Sequence, residues 1–549
     1  MSMFSIGLSG LSTAQNALNT TSNNISNVYT PGYNREIAQL GEGPAGSGGV
    51  QVNDIERQFN RFVADQLNDA KTQSSALSAY EGQISQIDNL LADREAGLAP
   101  LMQNFFASME DLASAPSDPA SRQSVIGAAQ TMTAQFRSFD GYLQDMQSNV
   151  NSEIKDEIIK INNTTEQIAG LNREITLARA RTGEAPNGML NQRDHLVSEL
   201  NESLDIRLNI QDGKSYSISL PNGQPLVTDT QSMKLKPVAS ELDPQRTVVG
   251  YEDSSGKVTR LNENLVEGGK LGGLMTFREE SLDKTQNQIG QLAISLSTAF
   301  NEQHRSGMDL DGNPGEDFFT LRQPQAYSYK DNAATVANIQ LEPENLEDLR
   351  AADYTATYDG TDFTVVRNDN GQAAENVNWD GTTLSFGGVS MEFNGTLAAG
   401  DKFEAQPVRR GGAGMNVAIE DVDKVAAGQP VNPEDPRASW VAAGPGDNTN
   451  ALALQDLQSE PIVGGIATVS SAYGGIVSDV GNRTNITQVN LDARQGLTDQ
   501  LRAVQQSESG VNLDEEAANL IRYQQYYQAN ARVIDSATTI MDTILNLRS

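Results

Sequence analysis

The sequence predicts a multidomain α+β protein, with N- and C-terminal helices paired as a coiled coil, a long helical-bundle body and inserted β domains. Three observations carry this. Both ends show apolar residues at heptad spacing, a helical pattern of about 60 residues runs through the first third, and alternating apolar runs broken by Asn-Gly and Asp-Gly turns fill parts of the middle. A chain of 549 residues also exceeds what one hydrophobic core organises.

The first helix has apolar positions at Phe4, Leu8, Leu11, Leu18 and Ile25, four of them spaced by sevens. Gln15 and Ser22 leave the stripe thin, and Pro31-Gly32 is expected to stop the helix. The first 34 residues carry no charged side chain. A helix facing solvent normally shows Lys and Glu. Ser, Thr, Asn and Gln all round suit burial among copies or relatives, so this segment is expected to order on assembly.

Residues 41–49, "GEGPAGSGG", read as a flexible joint. A second helix is expected from Ile55 to Leu91 and a shorter one from Leu101 to Leu112. Asp118 and Pro119 read as N-cap and first residue of a long helix reaching about Ala180. A helix of about 60 residues spans roughly 90 Å, a length suited to elongated assemblies. Residues 206–228 alternate around Asp212-Gly213 and Asn222-Gly223, and so read as strands. Helix resumes from Lys270 to Gln303, and 350–410 is again strand-like.

The last helix carries Leu513, Leu520, Tyr527, Ile534 and Met541 on one seam and Ala517, Ala531 and Leu545 on the other. It is the expected partner of the first. The domains implied are 1–40 with 505–549 as the terminal coiled coil, and 50–325 with 440–504 as the long-helix body, including β structure at 205–262. Residues 326–439 form the inserted β-rich outer domain.

Composition narrows the function. A net charge of −33 repels nucleic acid and anionic membrane. Without cysteine there is no disulfide, thiolate chemistry or Cys-ligated metal, and two histidines cannot form an HExxH site. No window of 18 apolar residues appears, and no basic n-region with an apolar run opens the chain.

"SNNISNVYTPGYNRE" (Ser22–Glu36) resembles the N-terminal signature of flagellar rod, hook and hook-associated axial proteins, with Asn23, Asn24, Asn27, Pro31, Gly32 and Tyr33 as its motif residues. Val511–Leu547 resembles their C-terminal counterpart. "NQRDHLVSEL", "GGKLGGLMTFREESL", "LAISLSTAFNEQHRSGMDLDGNPGEDFF" and "GDNTNALAL", in chain order, are similar to the flagellar hook-associated protein 1 (FlgK) family. The resemblance implies a structural axial protein forming a ring of its own copies between hook and filament. It would sit on hook protein beneath hook-associated protein 3, exported through the flagellar type III apparatus without a cleaved signal peptide to an extracellular site. A chaperone would guard the C-terminal helix beforehand. Another axial protein, such as hook-associated protein 3 or a hook-like protein, and an adhesive or enzymatic outer domain are the alternatives.

Three stretches carry residue types that chemistry could use. Asp309, Asp311, Asn313 and Asp317 mimic an EF-hand loop, but Pro314 replaces its Gly and Thr320 its bidentate Glu. "GGKLGG" lacks the GK[ST] of a phosphate loop and reads as a close backbone approach. His304 has no nucleophile beside it and is expected to cap its helix C-terminus with a charge. No catalytic residue, metal site or cofactor is expected.

Overall fold

The computed structural model describes residues 3–43, 48–93, 97–183, 186–211 and 215–546. Helix α1 (Met3–Ser26) leads into an antiparallel hairpin of β1 (Glu36–Glu42) and β2 (Val50–Arg57). The joint expected at 41–49 forms the hairpin tip, with 44–47 outside the described residues. Ile55 belongs to β2, so the second helix begins later than expected, at α2 (Arg61–Leu91). Asn60 sets that start: its side chain accepts from the Val63 N–H and satisfies an orphan donor of the first turn.

After α3 (Leu98–Ser114) comes α4 (Pro119–Thr182), 64 residues and roughly 95 Å long. Asp118 accepts from the Ser121 N–H, Pro119 occupies the first turn, and Gly183 closes the helix at φ 80°. The apolar stripe from Val125 to Ile175 is buried along its length. Helix α5 (Asn187–Ser203) follows.

Two small antiparallel sheets, within Arg207–Ser232 and Lys234–Arg260, lie against α4. The Asp212-Gly213 turn falls outside the described residues. Asn162 donates to Leu235 O and accepts from Leu235 N, both at 2.8 Å. Asn172 treats Tyr216 in the same way, at 2.8 and 3.2 Å. Two helix side chains thereby satisfy strand backbone that would otherwise be buried unpaired.

Helix α6 (Gly269–Phe277) passes through a π-helical turn, Arg278–Leu282, into α7 (Asp283–Arg305). A Cβ at Gly273 would strike the Ala76 backbone, so this glycine lets α6 lie directly on α2.

The outer domain consists of two four-stranded antiparallel sheets with a core of their own, running from Ala334 to Ala405. It ends earlier than the expected 326–439. Met415, Ile419, Val425 and Ala427 belong to the body's core, and Phe319 pairs with Val417 across a short ladder. After 407 the chain forms short 3-10 turns and the two-residue strand Asn416–Val417, and its apolar side chains join the core of the long helices. Helices α8 (Thr449–Asp456), α9 (Val469–Ser509) and α10 (Leu513–Asn546) complete the chain. Tyr473 on α9 donates to Leu91 O at 3.0 Å and secures α9 along α2.

Candidate assembly interface at the paired termini

Helices α1 and α10 lie against each other, but α1 makes the contact through small residues and not through its large heptad ones. The face of α1 that is buried comprises Gly7, Gly10, Thr13, Ala14, Ala17, Thr20, Thr21 and Asn24. A Cβ at Gly7 would stand 2.7 Å from Ile534 Cγ1, and one at Gly10 would run into the Asn530 side chain. Small side chains let the two backbones approach closely, which a thin stripe interrupted by Gln15 and Ser22 could not match. The hairpin covers part of the same face, with Thr13 Oγ1 donating to Val50 O at 3.1 Å.

The predicted seam residues therefore divide. Phe4 and Leu8 are 49% and 52% exposed, while Leu11, Leu18 and Ile25 are half-buried. On α10, Leu520, Tyr527, Ala531 and Ile534 are half-buried. Leu513, Ala517, Met541 and Leu545 are exposed. Ile6, Ile521, Ile540 and Ile544 add to the outward apolar surface. Monomeric proteins rarely leave such a surface uncovered.

Below the helices, the "NVYTPGYN" segment makes a tight turn. Helix α1 ends at Ser26, before Pro31, as Asn27 donates through both its backbone and its side chain to Asn23 O. Thr30 Oγ1 donates to Asn27 Oδ1 at 3.0 Å. Gly32 has φ 75°, and a Cβ there would meet His195 Cβ at 2.7 Å. The turn thus packs on the "NQRDH" stretch of α5. Asn34 donates to Asn191 Oδ1 at 2.7 Å, and Arg57 Nη1 to Asp194 Oδ2 at 2.5 Å.

A buried polar knot then ties the turn to α10. Asn24 Nδ2 donates to Glu36 O at 2.8 Å and to Glu516 Oε2 at 3.1 Å. Asn24 Oδ1 accepts from Tyr33 OH at 2.8 Å and from Glu36 N at 2.9 Å. Arg35 reaches Glu516 Oε1 through Nε and Glu515 Oε2 through Nη1, each at 2.8 Å. Burial, reinforced by Glu36 and Glu516, pushes the Tyr33 hydroxyl well above its ordinary range, so it remains a donor. Asn23, Asn24, Asn27, Gly32 and Tyr33 all have roles here, whereas Pro31 is exposed at the turn's tip. Sequence reasoning missed Arg35, Glu515 and Glu516. The available signal was that Arg35 is the first charge in the chain and Asp514–Glu516 the acidic first turn of α10.

The stretches with residue types that chemistry could use are structural. His304 is fully buried and does not cap its helix with a charge. Its Nε2 accepts from Ala426 N at 2.9 Å, which leaves Nδ1 to donate to Glu316 O at 2.6 Å. This neutral form is enforced by burial, which lowers its pKa to about 4. Asp309 and Asp311 hold the Lys424 ammonium at 3.1 and 2.9 Å, and Asp309 Oδ1 also accepts from Asn313 N. Among the described residues no cluster of three or more His, Cys, Asp or Glu is arranged to hold a metal, and no helix is long and apolar enough to cross a membrane.

Four family models match in chain order: flagella basal body rod protein over 4–34, the FlgK helical domain over 84–319, the hook-associated protein 1 D2-like domain over 327–407, and the basal body rod FlgEFG C-terminal region over 505–547. The chain is 40% identical to flagellar hook-associated protein 1 of Salmonella typhimurium and to that of Escherichia coli, over the whole of each chain. The chain belongs to the flagellar hook-associated protein 1 family. The Bacillus subtilis member is 22% identical over 98% of this chain and 96% of its own. The solved flagellar hook junction protein FlgK of Burkholderia pseudomallei superposes with a TM-score of 0.74 at 26% identity, covering 81% of this chain and all of that one. The D2-like match at 327–407 coincides with the separate core of the outer domain.

Proposed function

We propose that this chain is a structural subunit of the junction between flagellar hook and filament, and that its copies join through the outward apolar face of the paired termini. The observation that carries the reading is the inversion of α1. Its small residues meet α10, and its large ones, Phe4 and Leu8, are exposed, as are Met541 and Leu545 on α10. Such a face is completed by neighbouring subunits. The uncharged side chains of α1 allow close contact on that side without burying unpaired charge. Copies of the chain would form a ring seated on hook protein, with hook-associated protein 3 above, after type III export. The exposed apolar residues of α10 suit a guarding chaperone before export. The outer domain serves as a spacer, and no residue is assigned a catalytic role.

Labelled protein should appear as a single band between hook and filament. Leu11→Asp should leave the monomer's body folded yet abolish incorporation, since its carboxylate would be buried without a partner among subunits. Labelling along the filament, or normal junctions built from Leu11→Asp protein, would sink the reading.

A further inference from the structure

The outer domain rests on the body through a polar contact with an excess of carboxylates. Along strand Lys402–Gln406, Phe403 and Ala405 enter the domain's own core, while Glu404 and Gln406 are buried on the opposite face. Gln406 Nε2 donates to Asp243 Oδ2 of the body at 3.2 Å and to Glu404 Oε1 at 3.0 Å. On the returning chain, Arg409 pairs with Asp353 of the outer domain, and at 3.5 Å each with Asp243 and with Asp283 at the start of α7. Its neighbour Arg410 holds Asp140 of α4 with two nitrogens, at 2.7 and 3.0 Å. The apolar share of the contact is a small separate cluster: Ile294, Leu349 and Val408, with Leu321, Leu341 and Leu346 packed against it.

The charges do not balance. Arg246 is committed to Asp283 at 2.5 Å and Glu263 at 3.0 Å, and Arg278 to Glu263 at 2.9 Å. Three guanidiniums thus face five carboxylates, Asp243, Glu263, Asp283, Asp353 and Glu404, with Tyr327 alongside. The Asn287 side chain lies beside the Asp353 carboxylate, whose Oδ1 has no donor in full hydrogen-bond geometry among the described residues. Glu404 has the Gln406 amide but, among the described residues, no cation within salt-bridge distance.

We propose that the outer domain is hinged at its two connections to the body, and that protonation of Glu404 strengthens its docking beside Asp353 and Asp243. Burial and then Asp353 raise the Glu404 carboxyl to about 7 in the docked state, while undocking would return it to water. A group whose value is raised by docking binds its proton more tightly when docked. Docking is therefore favoured as pH falls through 7 and weakens as pH rises above it. With values of about 7 docked and an ordinary carboxyl undocked, the docking equilibrium weakens about tenfold from pH 6 to pH 9.

The chain has no cysteine, so Ser148→Cys on α4 and Glu392→Cys on the outer domain accept a spin-label pair. Double electron–electron resonance on the full chain would read their distance at pH 6 and pH 9. Val408→Ala removes apolar contact without changing a charge and brings the equilibrium into range, and Leu349→Ala serves if that variant does not fold. The expected result is a second distance population whose ratio to the docked one grows about tenfold between the two pH values in the weakened background. Adding Glu404→Gln should abolish that growth. Identical distributions at both pH values in the weakened background, or an undiminished response with Glu404→Gln, would overturn the proposal.

Discussion

Arg35 and Glu516, 481 positions apart in the chain, share a charge-assisted hydrogen bond of 2.8 Å, and the Glu516 side chain is almost wholly buried. This pair joins the first charged residue of the chain to the first turn of its last helix, beneath the contact between α1 and α10.

Breaking it from the carboxylate side leaves a poorly solvated guanidinium and an Asn24 amide short of an acceptor. Glu516→Ala should weaken the pairing of the termini by about 3 kcal/mol, with Glu515 compensating in part. Hydrogen exchange should show loss of protection in 513–530 while the melting of the body stays unchanged.

Gly10 permits the close approach of α1 to Asn530. Gly10→Leu should therefore lift α1 from α10, even though leucine is the better helix former. Proteolysis should then remove the N-terminal segment faster. An unchanged cleavage rate would mean that the small-residue face does not hold the pair.

His304 is neutral in the folded chain, with a value near 4 against about 6.5 when unfolded. The unfolded chain takes up the proton first. The stability this residue contributes is complete above pH 6.5 and is lost as pH falls toward 4. Between pH 7 and pH 4 the native protein should lose about 3 kcal/mol more than His304→Gln, measured by chemical denaturation at each pH.

The Asp309–Asp311 loop already holds the Lys424 ammonium. Melting temperature should not change on adding Ca²⁺ or EDTA. A Ca²⁺-dependent rise that disappears in Asp309→Ala would show that the ion displaces the lysine.

The parts of the fold readable from sequence were those decided locally. Asp118, Pro119 and the stripe to Ile175 specify α4 because capping and periodicity involve neighbours in the chain. The face by which α1 meets α10 was not readable. Heptad spacing marks where large apolar residues lie, not whether they meet the partner helix or the outside. Glu516 carries no sequence mark of burial, because nothing local reveals the Arg35 that pairs with it. His304 was misread for the same reason: Ala426, whose N–H it accepts, is 122 residues away. The end of the outer domain was hidden because nothing local in 407–439 says which core Met415, Ile419 or Val425 joins.

The knot between Arg35 and Glu516 also closes the polypeptide into a ring of its own, with every other domain inside it. Closing a loop depends on its length only logarithmically, so each doubling costs about 0.6 kcal/mol. Material added far from the knot is therefore nearly neutral for the union of the ends. The outer domain, which leaves and rejoins the body within 325–406, is where such a chain can grow or shrink across evolution without renegotiating how its ends meet.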